Sequence, residues 1–188
     1  MFWGLNKAVT QRLQAGALVA GFALNAFALG LGLSTSLVPV SHSLAACTDV
    51  AAPGVNWRRC YFDGQDLRGL NLEGAKLRDV TFQRANVSET NFAEADIYRG
   101  KFISAEVVQA DFRDARLQSA DFTRANLNGS DFSNADLRGA RFVDAILTNA
   151  DLTGAEVGDA IFRDADLSGA TWIDGQRVCS PGSIGACR

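Results

Sequence analysis

Four cysteines, Cys47, Cys60, Cys179 and Cys187, are the side chains of this 188-residue sequence with the widest chemical repertoire. An even number of thiols can close as disulfides, and four thiolates can hold zinc. Other chemistry is thinly supplied. The single histidine, His42, stands upstream of all four cysteines. A chain shortened past it would lack the usual general base and the commonest neutral metal ligand. No serine sits in a nucleophile elbow, and no glycine-rich loop leads into a helix. Carboxylates are the remaining candidates: Asp111, Asp131 and Asp151 recur at intervals of twenty. Like charges brought close together repel unless solvent, salt or a cation screens them. These residues are therefore candidates for a weak cation site or for contact with a basic partner. Neither catalysis nor a cofactor is expected.

The elements that position these residues follow from a period of five. From Trp57 to Trp172 a large apolar residue occupies every fifth position, as in Leu117, Phe122, Leu127, Phe132 and Leu137. Two residues before each, the chain is usually alanine, and the residue between is often Asp or Asn. This period fits neither the 3.6 of a helix nor the 2.0 of a strand, so the chain must turn every five residues. Read twenty apart, the apolar positions sort into columns. Phe62, Phe82, Phe102, Phe122, Phe142 and Phe162 form one all-phenylalanine column. Columns starting at 57 and 67 contain no phenylalanine, and the column from Leu72 is again rich in it. Alternating Phe-rich and Leu/Val-rich columns predict a four-sided tube with side chains laddered inside it.

The motif Ala-Asp/Asn-Leu/Phe-x-x, intact at 120–124 and 135–139, resembles that of the pentapeptide repeat family. The resemblance implies an all-β fold, a right-handed quadrilateral β-helix of about six coils. At an inter-strand spacing of about 4.8 Å such a rod is roughly 25 to 30 Å long. Its two ends carry unpaired edges that require caps.

Residues 1–46 contain no acidic residue, begin with the basic Lys7 and Arg12, pass through an apolar run and end in the small residues Ser43 to Ala46. That order predicts a cleaved export signal. An uncleaved membrane anchor is the alternative, weakened by Asn25 within the run. Leu44-Ala45-Ala46-Cys47 also resembles the lipobox of bacterial lipoproteins, which would place lipid on Cys47 and leave Cys60 unpaired. Export favours disulfides. Cys47 with Cys60 and Cys179 with Cys187 is the preferred pairing, because each pair flanks one end of the rod, whereas a zinc site would need the ends to touch. The chain thus divides into a signal or anchor (1–46), an N-terminal cap (47–56), the β-helix (57–174) and a disulfide-closed C-terminal cap (175–188). Trp57 and Trp172 are expected to plug the openings.

Two of the four faces are acidic, carrying Asp66, Glu73, Glu89, Glu94, Glu106 and Asp114 besides the aspartate column, opposed only by Arg68 and Arg113. The other two mix signs. Apolar Ile103, Val143 and Ile161, with Tyr61, are expected to point outward on the mixed side as a second candidate contact surface. The expected function is a non-catalytic structural or protein-interaction module of the bacterial envelope, periplasmic or secreted, with an unidentified protein partner. No nucleic acid is expected, and membrane contact only through residues 1–46 if uncleaved or lipidated. A monomer or weak dimer is expected. Some pentapeptide repeat proteins mimic DNA and bind DNA gyrase, which is the alternative. A charge of only −5 without Lys7 and Arg12 (16 basic against 21 acidic residues), spread unevenly, an export signal and a short cysteine-bearing tail depart from that pattern.

Overall fold

A computed structural model describes residues 47–188; the segment 1–46, with His42 and the lipobox-like residues up to Ala46, lies outside the described residues. From Asn56 onward every pentapeptide repeats one local conformation. A single bridge residue precedes the apolar residue, and a tight turn follows. The turn closes when the N–H three residues after the apolar position donates to its carbonyl, as from Ala85 to Phe82 at 3.0 Å. The second turn residue lies in the left-handed region, with φ of 58° at Arg124 and 59° at Glu94. For a residue other than glycine that conformation costs about 1–2 kcal/mol. The chain accepts the cost repeatedly because each turn is held by the coils above and below.

Bridge residues pair in parallel with the residue twenty further on, as in Asp111 with Asp131 and Asp131 with Asp151, so one coil is four pentapeptides. Each side of a coil is bonded alike. Toward the C-terminal end it offers two N–H groups and one carbonyl, illustrated by the N–H of Phe82 to Lys101, that of Arg84 to Ile103, and the carbonyl of Val80 receiving Lys101. The interior is filled. Phe82 through Phe142 in both aromatic columns are fully buried, as are Leu117 and Leu127 between them. Within a column the rings stack at 4.8 to 5.5 Å, and rings of the two columns meet edge-on at 5.8 to 6.0 Å. Both geometries suit the aromatic quadrupole and add to the burial of area.

The small slots two residues earlier are buried with them. Polar residues there find partners: Thr90 Oγ1 donates to the Leu67 carbonyl and Ser130 Oγ to that of Val107. Cys60 occupies such a slot in the first coil and is fully buried there. It is joined to Cys47. Cys179 is joined to Cys187 in the tail.

The two ends differ. Before the first coil, Gly54 and Val55 bond to Glu73 and Lys76, and Trp57 is buried against Phe62. After the last, the tail turns back and pairs antiparallel, Val178 with Thr171 and Ile184 with Asp166. Trp172 is only half-buried. The tail, closed by its disulfide, lies over the sides bearing Leu167 and Trp172, the Leu167 N–H donating to Ser183 and that of Trp172 to Arg177.

Candidate interaction surfaces

The aspartate column has a local cause. At turn after turn the bridge side chain accepts the N–H two residues on: Asn71 from Glu73, Asn91 from Ala93, Asp111 from Arg113, Asp131 from Ser133, Asp151 from Thr153. An Asp or Asn oxygen satisfies a backbone donor that the turn leaves unpaired, which is why those two residue types fill the position. Asp131 and Asp151 take a second bond from the hydroxyls of Ser133 and Thr153. Asp111 instead receives the guanidinium of Arg113, at 2.6 Å from Nη2, and Arg113 Nε lies 3.8 Å from Asp131. That guanidinium holds the Asp111 carboxyl below the ordinary carboxylate range, with the Arg113 backbone N–H adding to the effect and partial burial opposing it.

The three aspartates do stand one above another, as the period predicts, but each is half-buried and committed to its own turn. They do not converge on a common point, and among the described residues no cluster of His, Cys, Asp or Glu is disposed to hold a metal ion. Of the exposed carboxylates of this half, Asp66 pairs with Arg68, Glu106 accepts from Asn126 and Asp174 accepts the N–H groups of Gln176 and Arg177, which leaves Glu73, Glu89, Glu94 and Asp114. Among the described residues none of these four has an ion-pair partner within 4 Å. Glu89, Glu94 and Asp114 occupy the left-handed turn position, which projects from the corner of the coil. Register separates the two kinds: a carboxylate immediately before the apolar residue caps its own turn, and one two residues after it stands at the left-handed turn position.

On the other two faces several charges are paired, while Arg58, Arg84, Arg116 and Arg124 have no ion-pair partner among the described residues. Arg138 bridges Asp136 at 2.5 Å and Glu156 at 3.4 Å, Arg78 reaches Asp96 at 3.5 Å and also stacks over Tyr98, and Arg99 reaches Asp79 at 3.5 Å. Hydrogen bonding to Arg138, then its backbone N–H, its charge and Gln118, keeps Asp136 below its usual range against the opposing effect of burial.

The apolar candidates do not form one patch. Val143 is buried at 6% exposure, contrary to the outward placement expected for it. It follows Phe142 in the chain as the first residue of the turn. Ile103 is half-buried and Ile161 is exposed, and Thr123 separates the Ile103 and Val143 positions along the column. Among the described residues a single open depression of about 430 Å³ stands out, lined by Asp66, Leu67, Arg68, Gly69, Leu70 and Glu89 at the first coil.

The family model described as "Pentapeptide repeat region" matches residues 55–132 and 75–151. No curated protein matches the chain. Among solved structures the chain is similar to a pentapeptide repeat protein from the cyanobacterium Cyanothece 51142, at 25% identity and a TM-score of 0.56 over 60% of this chain and 90% of that one. It is also similar to a pentapeptide repeat protein of the Arabidopsis thaliana thylakoid lumen, at 27% identity and a TM-score of 0.50 over 65% and 83% of the two chains. HetL, a pentapeptide repeat protein involved in heterocyst differentiation regulation in Nostoc sp. strain PCC 7120, is 27% identical with a TM-score of 0.45. That match takes in 65% of this chain and 64% of HetL. The architecture shared with these proteins is the right-handed quadrilateral β-helix.

Proposed function

The chain belongs to the pentapeptide repeat family, and from that premise we propose that it is a non-catalytic structural or protein-interaction module of the bacterial envelope. In this reading residues 1–46 export the chain, and about six coils form a rod that acts through its faces. The observation that carries it is the joining of all four cysteines in two bonds, one at each end of a tube whose interior is filled by its own side chains. Disulfides persist in oxidising compartments. A filled tube leaves its outer faces to meet a partner. The acidic half favours a protein partner with a basic surface, met through Glu73, Glu89, Glu94 and Asp114.

Intact mass of the protein from separated cell fractions, with and without reductant, tests the export reading. A soluble envelope form beginning near Ala46 or Cys47, and gaining the mass of four hydrogens on reduction, is expected. A full-length, reduced protein in the cytoplasm would overturn it. Charge reversal at Glu89, Glu94 and Asp114 should abolish capture of the partner from an envelope extract; unchanged capture would remove the acidic half from the proposal. The same unpaired carboxylates favour the second reading, a DNA mimic that binds DNA gyrase. That reading predicts inhibition of gyrase supercoiling by the purified rod, and no inhibition would exclude it.

A further inference from the structure

The first three coils carry a cationic stripe along one corner of the tube. There the turn residues Arg58 and Arg59 lie beside Arg78 and Asp79, and these beside Tyr98 and Arg99, because the Arg59 N–H donates to the Arg78 carbonyl and that of Asp79 to the Tyr98 carbonyl. The bridge residues that follow the corner, Tyr61, Thr81 and Lys101, pair in the same order. Five basic residues thus stand with one acid, and that acid, Asp79, is taken by Arg99 at 3.5 Å. Arg78 reaches Asp96 and stacks on Tyr98, whereas Arg58, Arg59 and Lys101 are exposed and have no ion-pair partner among the described residues. Further along this corner the stripe ends, since Arg138 and Arg141 are paired with Asp136 and Asp121.

Two further observations say what such a stripe meets. Tyr61 is 75% exposed beside these cations. A ring with a polar tip, held in water, suits the boundary between lipid headgroups and hydrocarbon. The second observation is Cys60, which stands between Arg59 and Tyr61 and is joined to Cys47. The chain therefore enters the rod at this corner, and the apolar run of residues 13–33 precedes that point in the sequence. Val50, three residues after Cys47, is 85% exposed.

We propose that this corner is a docking surface for anionic lipid headgroups, by which the rod lies against the membrane to which residues 1–46 bring it. The proposal rests on the reading of that segment as an export signal or anchor. Headgroup phosphates are drawn to Arg58, Arg59 and Lys101, and Tyr61 enters the headgroup layer. Clustered Lys and Arg next to a membrane-directed segment supply the second of the two attractions that stable attachment requires. The faces bearing Glu73, Glu89, Glu94 and Asp114 are the other two, so they stay open to a protein partner.

Co-sedimentation with vesicles tests this. The purified protein is mixed with vesicles of phosphatidylcholine alone, or with phosphatidylglycerol added, at low and high salt. Binding should be at least about tenfold stronger with phosphatidylglycerol, and high salt should remove the difference. Arg58→Glu, Arg59→Glu and Lys101→Glu combined should reduce binding to the phosphatidylcholine level. The melting temperature should change little, because none of the three makes an ion pair and glutamate already occupies the left-handed position at Glu89 and Glu94. Tyr61→Ala alone should weaken binding in the same assay. Arg84→Glu, Arg116→Glu and Arg124→Glu combined change the net charge equally but lie off the stripe, and should keep most of the binding. Equal loss in the two triple variants would show attraction by net charge alone and overturn the proposal. Equal binding of the wild type to both kinds of vesicle, or to neither, would overturn it as well. The mass of the same sample reports on residues 1–46 separately, so an exported rod indifferent to phosphatidylglycerol sinks this proposal and leaves the export reading standing.

Discussion

Substitution of Asp131 separates a column that serves its own turns from one that binds a cation. Asp131 Oδ1 accepts the Ser133 N–H at 2.8 Å and the Ser133 hydroxyl at 2.5 Å. Each bond contributes about 1 kcal/mol net, so Asp131→Ala should cost roughly 2 kcal/mol. In a chain of this size that lowers Tm by about 4–8 °C. Asp131→Asn keeps an oxygen at the same place. Two carboxylates one coil apart, roughly 5 Å, repel by about 0.8 kcal/mol in water, so removing the charge offsets part of any loss. The Asn variant should therefore stay within about 0.5 kcal/mol of the wild type. Urea unfolding of the three proteins, in calcium and in chelator, is the assay. Equal destabilisation by Asn and Ala would refute the turn-capping argument. A calcium-dependent rise in the wild-type midpoint that Asp131→Asn abolishes would show that the column binds the cation after all.

Phe122→Ala removes a ring stacked on both neighbours of its column and met edge-on from the other, and should cost about 3–5 kcal/mol in urea titration. Phe162→Ala, at the half-buried end of the same column, should cost clearly less, and equal losses would argue against the ladder as the source of cohesion. Arg124→Gly relieves a left-handed residue at φ 58° that makes no ion pair among the described residues. It should stabilise by about 0.5–1 kcal/mol after the entropy lost by glycine, and a lower melting temperature would contradict the strain argument. Acid should weaken the fold through Asp111 and Asp136. Their folded pKa values are depressed, chiefly by Arg113 and Arg138, so the stability they add is present above the ordinary aspartate value near 3.9 and is lost as pH falls below it. Arg113→Gln together with Arg138→Gln should flatten that decline in urea midpoints measured across the acid range.

A strict period of five between Trp57 and Trp172 determines the interior by itself. Because each turn is local, an apolar residue at every fifth place can only face a common axis. The phenylalanine columns then show that four such turns close one coil, since rings stack only if residues twenty apart are neighbours. Local spacing also brings Cys179 near Cys187. Which polar side chains are free is a different matter, and only the tertiary structure decided it. Glu156 and Glu94 look equivalent as exposed acids, yet Glu156 is reached by Arg138 of the preceding coil and Glu94 has no ion-pair partner among the described residues. Val143 likewise sits at a position that the repeat alone assigns to the surface, but it is buried at 6% exposure. Which sides of the last coil the tail bonds, those of Leu167 and Trp172, depends on where that cap comes to rest. Repetition specifies what every coil shares. What distinguishes the ends comes from where the two caps meet the first and last coils, as in Gly54 on Glu73 and Leu167 on Ser183, which no five-residue pattern encodes.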